Sequence, residues 1–412
     1  MNSNISPHAY VLMAVMATAL SYFGFKTFGG LDEWFFLPIF AMVLFWGAAN
    51  FIRQWRGLSH FYVDKNIRVV PLLRRAVARY VVWMVVLFIG IKFLGSHPYY
   101  QRYDKSMEFL DALLNIYLVA GIPYFLLTLI FKASRVEDFY DPAVRLLHIL
   151  KQISLGFMVR GNRRFAVLDK AYNRKVLLNL VMRAYFIPFM VVQIYITMDS
   201  AIRFSADNFN NYNLMTVLVW LSSILWFMDA LVASAGYSIE SRWAENRTRS
   251  IDMTVGGWLV CMACYEPLNQ VTGTLFPFGP FIANVAPESF VFAEQTGLYI
   301  FKMVEIVLLL ALIYSDVSLG PSGVNITLKR LQTRGPYGII RHPGTVCKLS
   351  LWWLQTAFYA QFWASPQLII GHLAWNVLYI LRAYTEERHL RKHAEYREYM
   401  KRVKYRFIPG VI

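Results

Sequence analysis

Apolar runs close to the ~20 residues needed to cross a bilayer recur along this 412-residue chain, and nothing else in the sequence restricts its fold as strongly. About ten are legible: Tyr10 to Phe25, Trp34 to Phe51, Tyr80 to Leu94, Leu110 to Phe131, Val176 to Met198, Leu214 to Tyr237, Gly256 to Phe276, Gly297 to Tyr314, Thr345 to Trp363 and Gln367 to Tyr384. With 57% hydrophobic residues and a mean hydropathy of +0.40, the chain is too apolar for a soluble globular domain. The expected fold class is all-α: a polytopic integral membrane bundle of about ten transmembrane helices, with a C-terminal cytosolic amphipathic helix. Met1 to Tyr10 lacks a basic start and no small-residue cleavage site follows, so the first run reads as a retained span rather than a signal peptide.

Cations set the expected orientation, because Lys and Arg are retained on the cytoplasmic side. The connection after the second run carries Arg53, Arg56, Lys65, Arg68, Arg74, Arg75 and Arg79, and the one after the fourth is richer still. Gly273 to Thr296 carries none. That parity predicts ten crossings with both termini in the cytoplasm, and it accounts for the net charge of +16 without nucleic acid. Membrane lipids are the expected contact of the basic loops. The sequence sets no oligomeric state.

Other motifs are weaker. Cys261 and Cys264 form a C-x-x-C inside an apolar run with no second pair, so they read as packing residues and no metal site is expected. In the loop from Lys132 to Lys175, "DPAVRLLHILKQI" predicts a helix capped by Asp141 with Pro142 at its first position, lying on the membrane surface or serving as a connector. Charges inside apolar runs are costly and deserve a role each. They are Arg183, Asp229, Glu266, Lys302 and Glu305, of which Lys302 and Glu305, three apart, are expected to neutralise each other.

The final fifth differs in kind. "RGPYGIIRHPGTVCKLSLWWLQ" punctuates the chain twice, at Gly335-Pro336 and Pro343-Gly344, before the ninth run. Tyr337, Arg341 and His342 there offer an aromatic face, a fixed cation and a titratable ring, next to the free N–H groups of a helix start. A short connection near Ala364 to Gln367 makes the last two runs an antiparallel hairpin, which returns Glu386 and Glu387 to the same face. Beyond them, Tyr396, Tyr399, Met400 and Val403 fall at i, i+3, i+4 and i+7, so an amphipathic helix is predicted that ends before Pro409.

Arg341-His342-Pro343 after Gly335-Pro336-Tyr337, then Glu386-Glu387, Tyr396-x-x-Tyr399 and Arg406-Phe407-Ile408-Pro409, resemble the C-terminal signature of the isoprenylcysteine carboxyl methyltransferase and phospholipid methyltransferase superfamily. The resemblance spans about Leu328 to Ile412, so two regions are expected: 1–320 as a transmembrane region of its own, and 321–412 as a methyltransferase-like region. It implies an integral membrane enzyme that transfers a methyl group from S-adenosylmethionine to a lipophilic acceptor. That acceptor would be a prenylated carboxylate, a lipid headgroup or another hydrophobic small molecule. It further implies that Gly335, Tyr337, Arg341, His342, Pro343, Glu386, Glu387, Tyr399 and Arg406 hold the cofactor, with Arg341 and Glu387 as catalytic residues. Methyl transfer is an in-line displacement and needs alignment more than an activated nucleophile. In that family Arg-His-Pro usually continues x-Tyr-x-Gly, whereas here Thr345 and Cys347 stand in place of the aromatic residue and the glycine. Membrane sterol and steroid reductases, which bind NADPH, show a similar tail, to which Tyr405-Arg406-Phe407-Ile408-Pro409 is also similar. The alternatives are therefore an NADPH-dependent reductase and a non-catalytic relative of the fold.

Overall fold

The computed structural model describes residues 6–28, 62–63, 68–132, 142–158, 171–208, 214–238, 247–277 and 295–411, with a few positions between 41 and 48. The described residues are almost wholly helical. In order come α1 (Pro7–Phe28), β1 (Tyr62–Val63), α2 (Val69–Gly95), α3 (Pro98–Gln101), α4 (Asp104–Ile130), β2 (Phe131–Lys132), α5 (Pro142–Met158), α6 (Ala171–Asn208) and α7 (Leu214–Ser238). Then follow β3 (Ser250–Ile251), α8 (Val255–Met262), α9 (Asn269–Leu275), α10 (Gln295–Ser318), β4 (Thr327–Leu328), α11 (Pro343–Ala357), α12 (Ala360–Ala364), α13 (Pro366–Leu390) and α14 (Ala394–Arg402).

Six of these helices, α1, α2, α4, α6, α7 and α10, are long and apolar enough to cross a membrane. They correspond to the first, third, fourth, fifth, sixth and eighth runs, and they make this a helical membrane protein. The second run, Trp34 to Phe51, lies almost wholly outside the described residues. Where the sequence suggests a seventh span, the structure has two short helices, α8 and α9, broken by turns from Ala263 to Leu268, and neither reaches across a bilayer alone. The ninth run is likewise divided, because α11 stops at Ala357 and a separate turn, α12, leads into α13. The 25-residue α13 is long enough to cross but too polar in composition to be counted with the six.

The chain forms two compact units, residues 47–192 and residues 1–46 with 193–412, whose boundary falls inside α6. In the first unit α2 packs along α4 through stacked Tyr80 and Tyr117 rings 5.4 Å apart. Each phenol donates to a carbonyl of the other helix, Tyr80 to Leu118 and Tyr117 to Tyr80, both at 2.9 Å. Gly121 allows that approach, since a Cβ there would stand 2.7 Å from the Tyr80 ring. Large apolar side chains such as Phe93 and Val119 face outward, as lipid-facing positions must. Helix α5 forms at the predicted Pro142, while Asp141 lies outside the described residues.

In the second unit α10 packs against α1, α7 and α11. The expected Lys302–Glu305 ion pair is present in α10, and Glu305 also accepts from Gln355 Nε2 of α11 at 2.9 Å, so one carboxylate ties two helices. Helices α11 and α13 contact each other and α13 also packs on α8. The β3–β4 ladder, Ser250 opposite Leu328 and Ile251 opposite Thr327, joins the segment before α8 to the segment before α11. That small ladder holds two loops beside the end of α13.

Candidate functional site

Two polar constellations occupy opposite faces of the last turns of α13, because neighbouring residues on a helix diverge by about 100°. Glu387 belongs to one and Glu386 to the other.

Glu387 is 1% exposed and is enclosed by cations. Its Oε1 accepts from Arg341 Nε at 2.7 Å and lies 3.2 Å from His342 Nε2, while Oε2 accepts from Arg406 Nη2 at 2.8 Å and Arg391 Nη2 at 2.9 Å. Burial pushes its pKa up, but the hydrogen bonds from His342, Arg406 and Arg341 outweigh burial and hold the carboxyl well below the usual range. Arg341 also donates Nη1 to the carbonyls of Val403 at 2.9 Å and Lys404 at 2.5 Å. The tail is laid on this centre as a short extended segment: the N–H groups of Arg341 and His342 donate to the carbonyls of Tyr405 and Arg406, each at 3.0 Å. The Arg406 guanidinium sits 3.9 Å over the Tyr384 ring.

The amphipathic spacing of the tail also appears as packing. Tyr396, Tyr399 and Val403 are buried with Leu328 and Leu390, and Met400 rests on them. Tyr399 donates its hydroxyl to the Tyr337 carbonyl at 2.7 Å. Gly335 has φ +62°, a left-handed conformation that favours glycine, and a Cβ there would come within 3.2 Å of the Tyr314 hydroxyl. Pro343 begins α11 at a position where its missing N–H costs nothing. The structure thus gathers Tyr337, Arg341, His342, Pro343, Glu387, Tyr399 and Arg406 around the tail, with Gly335 setting the turn beneath.

Glu386 faces elsewhere, into a narrow cleft with Asp252, Asn325, Arg382 and His389. The cleft is tight: its cavity volume is about 10 Å³, room for about one water-sized group behind an open mouth. Glu386 makes no hydrogen bond or ion pair among the described residues, and it is exposed. Asp252 is 2% exposed; its Oδ1 accepts from the Thr254 N–H and hydroxyl at the start of α8, and its Oδ2 is 3.4 Å from Arg388. Gly257 makes room for that carboxylate, because a Cβ would stand 2.0 Å from Oδ2. Arg382 donates to Asn325 Oδ1 at 2.5 Å and lies 5.1 and 5.5 Å from the Tyr265 and Tyr379 rings. Ile326, next to Asn325, has φ +54°, a strained value for a β-branched residue.

His389, 4% exposed, closes the cleft. Its Nε2 lies 3.1 Å from Ser250 Oγ, which is also 2.7 Å from His393 Nε2, while its Nδ1 is buried with no partner among the described residues. Burial lowers its pKa to about 4, so the ring is neutral at pH 7.

Sequence reasoning located Glu386 but missed Asp252, Asn325, Arg382 and His389, which lie in polar loops or among the many cations of the C-terminal stretch. It also missed Asp316, at the end of an apolar run, which hydrogen-bonds Asp229. A carboxyl–carboxyl hydrogen bond requires one of the two to keep its proton. A Cβ on Gly344 would stand 2.6 Å from Asp316 Oδ1, so the close approach expected of a glycine after Arg-His-Pro is made here by Gly344, while Cys347 is half-buried in α11.

No family model, characterised protein or solved structure matches the chain.

Proposed function

We propose that this protein is an integral membrane methyltransferase that uses S-adenosylmethionine on a lipophilic acceptor, with ten crossings and both ends in the cytosol. The observation that carries the reading is the convergence of Arg341-His342, Glu387 and the Val403–Arg406 segment about the end of α13, since these are pieces the resembling signature would bring together. The residues beside α13 suit such a cofactor: an exposed carboxylate at Glu386, a guanidinium at Arg382, and a buried Nδ1 on His389 that lacks a partner among the described residues. When bound, the cofactor supplies an electrophilic methyl group on a sulfonium. The chain's own part is to fix orientation and exclude water: Glu387 and its cations seat the tail, and the seated tail shields the end of α13.

One observation favours a second reading, an NADPH-dependent reductase. The Asp229 and Asp316 carboxyls hydrogen-bond through a shared proton inside the helices, near Lys348. Reduction of a double bond or carbonyl consumes such a proton, whereas methylation of a carboxylate does not. Calorimetric titration of the detergent-purified protein with S-adenosylmethionine, S-adenosylhomocysteine and NADPH separates the two. Micromolar affinity for the first pair alone is expected; affinity for NADPH alone transfers the assignment to the reductase, and silence from all three indicates a non-catalytic relative.

A further inference from the structure

We propose that the cleft beside α13 binds the zwitterionic head of an α-amino acid, with Arg382 taking its carboxylate and Glu386, Asp252 and His389 Nδ1 taking its ammonium group. The inference rests on the methyltransferase reading and assigns the amino-acid end of the cofactor to residues that the signature does not include, apart from Glu386.

Arg341 is the guanidinium that the sequence would offer to the cofactor carboxylate, yet its Nε and Nη1 are directed to Glu387, Val403 and Lys404. Arg382 is differently placed. One of its nitrogens is fixed by Asn325 and its plane is steadied by two tyrosine rings, and its other N–H groups make no hydrogen bond among the described residues. A held guanidinium with spare donors at a cleft wall is suited to a carboxylate.

The opposite requirement is met across the same cleft. Among the described residues Glu386 is a carboxylate without a partner, Asp252 keeps Oδ2 only loosely engaged, and His389 presents a buried nitrogen with nothing bonded to it. Orphaned buried nitrogens are costly, so one at a cleft wall marks a place for a ligand group. The relay through Ser250 can supply the tautomer: His389 Nε2–H donates to Ser250 Oγ, and the Ser250 hydroxyl donates to His393 Nε2, leaving Nδ1 as an acceptor. Two carboxylates and an acceptor nitrogen match the three hydrogens of an ammonium group. NADPH carries no α-amino acid and offers the cleft no such head.

The test is calorimetry on the full chain with S-adenosylhomocysteine and its analogues lacking the α-amino or the α-carboxyl group, for the wild type and for Glu386→Gln. Each truncated analogue is expected to bind the wild type about 10-fold or more weakly, the loss of one charge-assisted contact. Glu386→Gln is expected to lose a similar factor for S-adenosylhomocysteine and almost nothing further for the deaminated analogue. Glu386 is exposed, so the variant folds; Arg382→Gln, checked by its elution as a single species, should show the matching pattern with the decarboxylated analogue. Equal losses for intact and truncated ligands, or no loss, overturn the assignment of the cleft while leaving the methyltransferase reading in place. A wild type that ignores S-adenosylhomocysteine overturns both.

Discussion

Glu387 shows how one residue can be legible in sequence while its setting is not. Its return to the face of Arg341 follows from the hairpin and its pairing with Arg391 from i,i+4 spacing, but the closing of the enclosure depends on Arg406, which no spacing rule connects to it. Removing one partner from a buried ionic centre costs about 3–5 kcal/mol, because the remaining charges stay buried. Glu387→Ala is therefore expected to release the tail, seen as rapid proteolysis beyond Leu390 while the rest of the chain stays protected. Protection equal to wild type would show that the tail is held by its apolar face alone. Ile326 offers the opposite sign: Ile326→Gly removes a strained φ of +54° and is expected to raise the thermal midpoint, by an amount equivalent to about 1 kcal/mol. Nothing in the sequence around "SGVNITL" announces that strain, since the β-branched residue there reads as ordinary strand.

At the scale of elements, apolar length identified the long helices and missed the breaks. Among the described residues six of the runs are continuous long helices, whereas the seventh and ninth are divided where Tyr265-Glu266-Pro267 and Phe358-Tyr359 turn the chain. Hydropathy averages over such turns, so a broken segment and a continuous one score alike. The spacing in the tail was informative because Tyr396, Tyr399 and Val403 all face the same buried cluster. Helix contacts were not legible, since they depend on which glycine meets which ring. Gly121→Ala is expected to destabilise the α2–α4 pair by about 1–3 kcal/mol, read as a lower unfolding midpoint in detergent, because its Cβ would meet the Tyr80 ring. Gly371 is tighter, with a Cβ placed 2.0 Å from the Pro277 carbonyl oxygen, a contact between α13 and the segment after α9. Gly371→Ala must push that segment away from α13, which a crosslink between the two would report as lost.

For the whole molecule, composition fixed the class and left the site open: a helical membrane protein was evident from the apolar runs, while its cleft had to be read from folded loops. Acid should weaken the C-terminal end of α13 first. The folded-state pKa of His389 is lowered from 6.5 to about 4 and that of His393 is lowered as well, each chiefly by burial, so the unfolded chain binds more protons than the folded one between those values. Stability from the neutral rings is present above pH 6.5 and is lost as the pH falls toward 4. The contribution of Glu387, whose pKa is also depressed, persists lower and is lost below its ordinary value of 4.5. Unfolding midpoints from pH 7.5 down to about 4.5 should therefore decline, with a shallower slope in His389→Gln. A flat profile in the wild type would exclude these rings as the cause. The docking of Tyr405 and Arg406 on Arg341 and His342 has a consequence for biosynthesis. Ribosomes deliver the two halves of that contact some sixty residues apart, so α11 and α13 must wait for the closing segment to emerge, and a chain cut short before Val403 would reach quality control folded in its long helices but never locked.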